Sequence, residues 1–227
     1  MGHFYFVRHG QTVWNVENKI CGATDSPLTE YGRQQAAETG KNIVESGIKA
    51  DEILYSPLSR AADTAKIISE MSGIPSREEP RLIEQNFGKW ESTPRDGKEF
   101  KKAKESFACR YEGGESMLQL AQRIYNLLDE IKQESDHKTY ILVAHNGISR
   151  MIQSYFTDMT NEEFASFGVK TARWCGMTSN MYDLSGQAVL STKGYRLELW
   201  RMRRSDIREK TSWSEVGSKA YREAAGE

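Results

Sequence analysis

The chain has 227 residues, of which 38% are hydrophobic and 28% are charged, and its 31 basic and 32 acidic side chains leave a formal net charge of −1. This length and apolar content suffice for one compact domain, and we expect residues 1–227 to form one, with a core over about 3–200 and a C-terminal extension over 201–227. The near-zero charge argues against nucleic-acid or membrane-surface binding through a global field, so any anion binding has to be local.

The cysteines and the hydropathy pattern narrow the class further. Cys21, Cys109 and Cys175 lie in no CxxC pair and are odd in number, which favours reduced thiols over a disulfide framework or a metal cluster. No apolar stretch approaches the ~20 residues of a membrane-spanning helix, and Arg8 interrupts the amino terminus before a signal-type segment. We therefore expect a cytoplasmic protein with no metal site and no cofactor.

The first quarter of the chain predicts a strand, a helix and a second strand. The run Phe4–Val7 consists of large apolar residues without polar alternation, which is typical of a strand covered on both faces. A helix follows from about Thr29 to Ser46, with Thr29 as its cap and Gly47 as its stop. The segment DEILYS (51–56) then predicts the second short strand.

The next helix places an arginine at its start. Ser56 is a natural N-cap, Pro57 suits the first helical position, and Gly73 ends the element. Arg60 is therefore expected in the first turn, beside free backbone N–H groups.

Two segments in the middle of the chain have less regular patterns. RLIEQNFGKWE, which contains Glu84, is interpreted as a short strand running into a turn. RDGKEFKKAKESFACRY is a lysine-rich helical segment, and its lysines could form a lid that favours multiply charged substrates. A solvated helix face is the preferred interpretation. The lysines are Lys98, Lys101, Lys102 and Lys104.

The second half of the chain continues the alternation. Ser116 and Gln119 form a capping box before the clearest helix, whose apolar stripe predicts core packing. The stripe consists of Leu120, Ile124, Leu127, Leu128 and Ile131. Tyr140–Ala144 predicts a buried strand that is followed by His145, a glycine-containing turn and a helix, and residues 177–200 predict one or two strands at a sheet edge. Alternating strands and helices over residues 4–156 predict an α/β fold with a mostly parallel sheet.

Four basic side chains are expected at one edge of this sheet. Arg8, His9 and His145 follow buried strands, and Arg60 opens a helix that follows another, so parallel strands bring them together. Guanidinium groups and helix N-terminal amides suit a phosphate, and an imidazole beside it can attack phosphorus covalently. Glu84 can supply the proton that the leaving oxygen needs. The pattern predicts a phosphate site.

Six sequence blocks identify a family. They follow one another over roughly residues 3–156 and are FVRHGQT with Asn15, CGATDSPLTEYGRQQA, SPLSRAADTA, LIEQNFGKWE, GGES and LVAHNGISR. In this order they resemble the histidine phosphatase superfamily, the phosphoglycerate mutase-like proteins. The resemblance implies a three-layer α/β sandwich. It also implies the site residues: His9 as the phosphorylated nucleophile, Glu84 as the proton donor, Arg8, Arg60 and His145 as the phosphate pocket, and Asn15, Cys21 and Gly22 close to the ligand.

The chain departs from the family pattern at two points. Glycine usually follows the second histidine directly, whereas here Asn146 stands between His145 and Gly147, and we include Asn146 among the substrate-binding residues. The interval from Glu84 to His145 is 61 residues, and mutases of the family carry a longer insertion there. The compact spacing and the FGKWE sequence resemble the phosphatase branch.

We therefore expect a phosphatase that hydrolyses a small phosphomonoester through a phosphohistidine on His9. One alternative is a phosphoglycerate mutase, which returns the phosphoryl group to its substrate. Another is a phosphate-binding regulatory protein whose catalysis has decayed, although both His9 and Glu84 are present. A homodimer formed through the tail at Trp213 is left open.

Overall fold

A computed structural model describes residues 3–134, 137–172 and 174–178 of the chain. Its strands are β1 (His3–Arg8), β2 (Glu52–Tyr55), β3 (Ser76–Glu78), β4 (Tyr140–Ala144) and β5 (Trp174–Thr178). The predicted strands beyond Thr178, the C-terminal extension and the tail at Trp213 lie outside the described residues.

The strands form one five-stranded sheet in the order β3-β2-β4-β1-β5. The central strand β4 pairs in parallel with β1 on one side and with β2 on the other, and β3 pairs in parallel with β2. At the opposite edge, β5 pairs antiparallel with β1. The predicted mostly parallel sheet is therefore confirmed. Every residue of β4 is buried, as expected for a parallel strand that is covered on both faces.

Helices cover both faces of the sheet. They are α1 (Val13–Val16), α2 (Glu30–Glu45), α3 (Ser59–Ser72), α4 (Lys98–Ala103), α5 (Met117–Glu134), α6 (Asn146–Phe156) and α7 (Asn161–Ser166), with 3-10 turns at Pro80–Leu82 and Gly88–Trp90. Leu142 of β4 packs in one apolar cluster with α5 and α6, and its neighbour Val143 packs in a second cluster with α2 and α3. Because successive strand side chains point to opposite faces, the sheet separates two helical layers, as predicted.

Several local signals define helices as predicted. Thr29 caps α2 by accepting a hydrogen bond from the Gly32 amide, and Gly47 beyond its end has a φ of +71°. Ser116 and Gln119 make the reciprocal bonds of a capping box before α5. The predicted apolar stripe of α5 is buried.

The predicted start of α3 is wrong by two residues. The helix begins at Ser59 with Leu58 as its N-cap, and Ser56 remains extended because its amide donates to the Val143 carbonyl at 3.1 Å. This hydrogen bond to β4 continues the extended backbone through Ser56, so the helix begins later than predicted. Arg60 still lies in the first turn, as predicted.

Three other local predictions also need correction. Glu84 does not follow a strand, because Pro80 opens a 3-10 turn that Glu79 caps at the Arg81 amide. The lysine-rich helix is limited to α4. The glycine at 147 lies in the first turn of α6, which begins immediately after His145.

Candidate active site

The two histidines meet at the carboxyl ends of adjacent parallel strands. Arg8 of β1 is in register with Ala144 of β4, and His9 and His145 are the next residues along each strand. Both are buried, and their ring centroids lie 5.1 Å apart. The structure therefore brings together the two histidines that the sequence placed after separate strands.

His9 is held as a neutral imidazole with one nitrogen available. Its Nδ1 lies 2.7 Å from the carbonyl oxygen of Gly10, and since a carbonyl only accepts, Nδ1 carries the proton and Nε2 a lone pair. Burial, followed by the charges of Arg60 and Arg8, keeps the pKa of His9 well below its usual value. Such an imidazole is suited to nucleophilic attack through Nε2.

The turn after His9 packs directly against α2. A Cβ at residue 10 would collide with the carbonyl oxygen of Gly32, so only glycine permits this approach. The Gly10 amide donates to Thr64 Oγ1 at 3.1 Å, which ties the turn to α3. The position of His9 is thus determined by two helices as well as by β1.

His145 has both ring nitrogens engaged by protein groups. Its Nδ1 accepts from Arg60 Nε at 3.3 Å, so its Nε2 carries the proton and donates to Ser56 Oγ at 2.7 Å. Burial is the main cause that holds the pKa of His145 well below its usual value, and the charge of Arg60 adds to it. Ser56, predicted as a helix cap, instead orients this histidine.

Arg60 links His145 to the loop that contains Gly22. It is 1% exposed, and its guanidinium donates to the carbonyl oxygens of Gly22 at 2.6 Å and Thr24 at 3.0 Å. Asp25 lies 3.4 Å from Nη1 of Arg60 and partly offsets its charge. In this arrangement the guanidinium holds the loop in place, and Arg60 is not among the residues that line the cleft beside His9.

Arg8 presents an unpartnered donor. Its Nη1 donates to the carbonyl of Val169 at 2.7 Å, whereas its buried Nε has no hydrogen-bond partner among the described residues. Burial, followed by repulsion from Arg95, lowers the pKa of Arg8 to about 10, so the group stays charged at neutral pH. An anion beside His9 would supply the missing acceptor.

Glu84 is buried beside the start of α6. Its Oε1 accepts from the Gln85 amide at 3.0 Å and its Oε2 from the Gly147 amide at 2.9 Å. Arg123 of α5 donates to the Glu84 carbonyl at 3.3 Å and pairs with Glu115 at 2.8 Å. Glu115, which belongs to the GGES block, also accepts from the Asn86 amide at 3.0 Å, so this ion pair holds the backbone from Glu84 to Asn86.

One cleft contains most of the predicted site residues. It is lined by Arg8, His9, Asn15, Ile20, Cys21, Glu84, Gln85, Phe87, Arg95, Phe100, Lys104, Met117, Asn146, Gly147 and Arg150. Gly22, Arg60 and His145 are not part of this lining but are joined to one another by the bonds described above. Sequence reasoning missed Gln85, Arg95 and Arg150: the first and last stand in the LIEQNFGKWE and LVAHNGISR blocks without an assigned role, and Arg95 lies outside all six blocks.

Three predicted ligand contacts have defined local roles. Asn15 Oδ1 accepts from the Thr12 amide at 3.1 Å in the capping box of α1, and Asn146 Oδ1 accepts from the Val169 amide at 3.0 Å. The Cys21 thiol donates to the Thr24 carbonyl, and burial raises the pKa of Cys21 to about 11. Cys21 is therefore a neutral thiol at physiological pH, unsuited to act as a nucleophile.

The lysine-rich segment is mostly a solvated face. Lys98, Lys101 and Lys102 are exposed, whereas Lys104 is half-buried and lines the cleft. Among the residues that the structure describes, no cluster of histidine, cysteine and acidic side chains could hold a metal ion. No helix within these residues is both long and apolar enough to cross a membrane.

Residues 4–189 match the family model of the histidine phosphatase superfamily, branch 1. The chain belongs to this superfamily. Among curated relatives, the probable phosphoglycerate mutase GpmB of Yersinia pestis (strain Pestoides F) is 36% identical over 148 residues, which cover 62% of this chain and 68% of the relative. The resemblance drawn from the six sequence blocks is thereby confirmed.

Solved structures of this superfamily share the fold. A mycobacterial glucosyl-3-phosphoglycerate phosphatase matches with a TM-score of 0.67 and 28% identity, over 77% of this chain and 89% of its own. A putative alpha-ribazole-5'-P phosphatase of Escherichia coli K-12 matches with a TM-score of 0.68 and 23% identity, over 77% and 89% of the two chains. The superfamily relatives thus carry the names of phosphatases and of a mutase.

Proposed function

We propose that this protein is a phosphatase that hydrolyses a small phosphomonoester, with His9 as the nucleophile and Glu84 as the proton donor. The observation that carries the proposal is the state of His9. Its Nδ1–H is committed to the Gly10 carbonyl, which leaves Nε2 unprotonated, and His9 lines the cleft together with Glu84 and with Arg8, whose buried Nε has no partner among the described residues. A nucleophile, an acid and an anion donor therefore share one space.

In the proposed first step, the Nε2 lone pair attacks phosphorus and the bond from phosphorus to the ester oxygen breaks. The leaving oxygen takes a proton from Glu84, and Arg8 stabilises the charge on the transferring phosphoryl oxygens. In the second step a water molecule gives a proton to the Glu84 carboxylate and attacks phosphorus, and the bond from phosphorus to Nε2 of His9 breaks. Inorganic phosphate leaves, and His9 returns to its neutral form.

The surrounding residues support these steps in the proposal. Arg60 and His145 hold the loop that contains Gly22, and Asn15, Cys21 and Asn146 contact the substrate. Because Arg8 and neighbouring cations already supply positive charge at phosphorus, the reaction does not require a metal ion or a cofactor.

Trapping the intermediate tests the nucleophile. The protein is mixed with a ³²P-labelled phosphomonoester, quenched in alkali within milliseconds and digested, since a phosphohistidine is stable in base and labile in acid. We expect label on the peptide that contains His9, and its loss in His9→Gln. His137→Gln, which changes an exposed histidine, serves as the matched control. Label on a serine or cysteine peptide would refute the proposed mechanism.

A comparison of leaving groups tests Glu84. General acid catalysis contributes ~10²–10⁴-fold when the leaving group is a poor one. Glu84→Gln should therefore lose activity on alkyl phosphates by about this factor, and far less on p-nitrophenyl phosphate, whose phenolate leaves without a proton. Equal losses on both substrates, with chemistry rate-limiting, would assign Glu84 a positioning role and show that another group supplies the proton.

A phosphoglycerate mutase is the second candidate, and the name of the 36% identical relative favours it. Two observations favour hydrolysis. The interval between Glu84 and His145 is short, and one of the similar solved structures, at 28% identity, is a phosphatase. Incubation with 3-phosphoglycerate, followed by ³¹P NMR, separates the two. Release of inorganic phosphate without 2-phosphoglycerate supports the phosphatase, and isomerisation without release supports the mutase. Turnover that disappears in His9→Gln excludes a decayed regulatory protein.

A further inference from the structure

The cleft contains more positive charge than one phosphate requires. Its lining includes four cations, Arg8, Arg95, Lys104 and Arg150. Glu84 is the one carboxylate among the lining residues. With Glu84 ionised the cations exceed the carboxylate by three charges, with Glu84 protonated as the proposed acid by four, and a phosphomonoester dianion neutralises two of these. A site this rich in unneutralised, partly buried cations favours a ligand with a further negative charge.

Arg95, Lys104 and Arg150 have no carboxylate partner within the part of the chain that the structure describes. Other arginines of the protein are paired: Arg33 lies 3.1 Å from Asp63, and Arg81 lies 2.7 Å from Glu79. Among the described arginines that are buried or half-buried, those outside the cleft lining, Arg60, Arg81 and Arg123, each contact a carboxylate, so the cleft arginines differ from them in having none.

The two arginines are fixed in place by their inner nitrogens. Arg95 Nε donates to the Lys19 carbonyl at 2.8 Å, and Arg150 Nε donates to the Phe167 carbonyl at 2.8 Å. Each guanidinium is thus oriented by backbone, while its outer Nη groups have no hydrogen-bond partner among the described residues. Planar, pre-oriented Nη pairs are the donors that bind carboxylate and phosphate bidentately.

Lys104 belongs to the same group of charges. It follows α4, and its Nζ lies 5.7 Å from the ring centroid of Phe100, which also lines the cleft. Burial lowers the pKa of Lys104, and repulsion from Arg150 and Arg95 lowers it further, because the three cations lie within electrostatic range of one another.

Gln85 provides an independent indication of a ligand. Its side chain is 2% exposed and lines the cleft next to Glu84, yet its Nε2 has no hydrogen-bond partner among the described residues. A buried amide donor without an acceptor is unfavourable. A ligand oxygen in the cleft would satisfy it.

We propose that Arg95, Lys104 and Arg150, together with the Gln85 amide, form a second anion subsite beside the phosphoryl site. It binds a carboxylate or a second phosphate, so the preferred substrates are phosphomonoesters that carry another acidic group. The inference rests on the proposed function for the assignment of the first phosphate to His9 and Arg8.

Matched ligands test the subsite by binding, without turnover. 3-Phosphoglycerate and glycerol 3-phosphate share one skeleton and differ in a carboxylate against a hydroxymethyl group, and fructose 1,6-bisphosphate and fructose 6-phosphate form the corresponding pair for a second phosphate. Calorimetric titration into His9→Gln should show at least ~10-fold tighter binding of one diacidic ligand than of its partner. The pair that shows the preference identifies the second group.

Variants of the subsite assign the preference to residues. Arg150→Gln and Lys104→Gln are each made in the His9→Gln background. Each should reduce the preference for the diacidic ligand by ~10-fold, because it removes a charged hydrogen bond to the second acidic group and leaves the contacts of the first phosphate unchanged. Lys102→Gln removes the same charge from an exposed position on α4 and should retain it. Equal affinity within both pairs, or a preference that Lys102→Gln lowers as much as Lys104→Gln, would overturn the inference.

The outcome is distinguishable from a failure of the proposed function. If the wild type forms no phosphohistidine and releases no phosphate, the proposed function is wrong, while a binding preference lost in both subsite variants would still support the subsite. If phosphate release proceeds but the ligand pairs bind equally, the function stands and the subsite does not.

Discussion

The Gly147 amide donates to Glu84 Oε2 over 2.9 Å, so the first turn of α6 holds the proposed proton donor in the cleft. A Cβ at residue 147 would collide with Glu84 Oε1. The glycine is therefore required by the carboxylate that packs on it. The sequence departure at Asn146 leaves this contact in place, because α6 begins at Asn146 and its second residue faces Glu84.

Gly147→Ala should separate activity from stability. The methyl group displaces the end of a flexible carboxylate side chain rather than backbone, so the thermal midpoint should change by less than about 3 °C while kcat on alkyl phosphates falls by ~10-fold or more. Steady-state kinetics and calorimetry measure the two effects. Gly97→Ala, where a Cβ meets only ordinary contact distances, is the control. An unchanged kcat in Gly147→Ala would show that the position of Glu84 does not matter.

Arg123 should act as a positioning residue for Glu84. It donates to the carbonyls of Arg81 and Glu84 and pairs with Glu115, so Arg123→Gln should lower the free energy of unfolding by ~1–3 kcal/mol. The loss of kcat should be larger on an alkyl phosphate than on p-nitrophenyl phosphate, because it acts through the acid. Gln122→Ala, at an exposed site on the same helix, should change neither. Equal losses on the two substrates would reduce Arg123 to a structural role.

The buried histidines should make folding stability depend on pH. Burial holds the pKa of both His9 and His145 well below 6.5, so below pH 6.5 the unfolded chain binds protons that the folded chain does not. Their contribution to stability is present above pH 6.5 and decreases as the pH falls, by up to ~1.4 kcal/mol per pH unit for each histidine. Urea titrations between pH 7.5 and 5.5 should show this slope, and His145→Asn should lessen it.

The same shift should be visible in the native state. The imidazole NMR signals of His9 and His145 should keep their neutral chemical shifts as the pH falls through 6.5, because burial lowers both pKa values. Titration of either ring near pH 6.5 would contradict the structural assignment of neutral imidazoles.

Phosphate release should persist in excess EDTA, since the proposed reaction draws its positive charge from Arg8 and its neighbours. Orthovanadate should inhibit competitively at micromolar concentration, because its five-coordinate form resembles phosphoryl transfer in progress. Loss of activity in EDTA that Mg²⁺ restores would refute the metal-free mechanism.

Much of the fold could be predicted from local pattern. The apolar run at Phe4, the buried run of β4 and the capping box at Ser116 each specify an element through periodicity or a bond between residues three apart. Because parallel strands end at one edge, the sequence alone also brought His9 and His145 to one site. These inferences succeed because backbone geometry is repetitive and short-range.

Only the tertiary structure decided the state of each side chain within that site. Pairing with β4 turned Ser56 from a predicted helix cap into the partner of His145, and the loop carbonyls occupied the donors of Arg60. Arg95 entered the cleft from a segment without any motif, and Arg150 entered it from the end of the LVAHNGISR block, where the pattern assigned it no role. Whether a donor is satisfied depends on which distant backbone meets it, and no local sequence pattern carries that information.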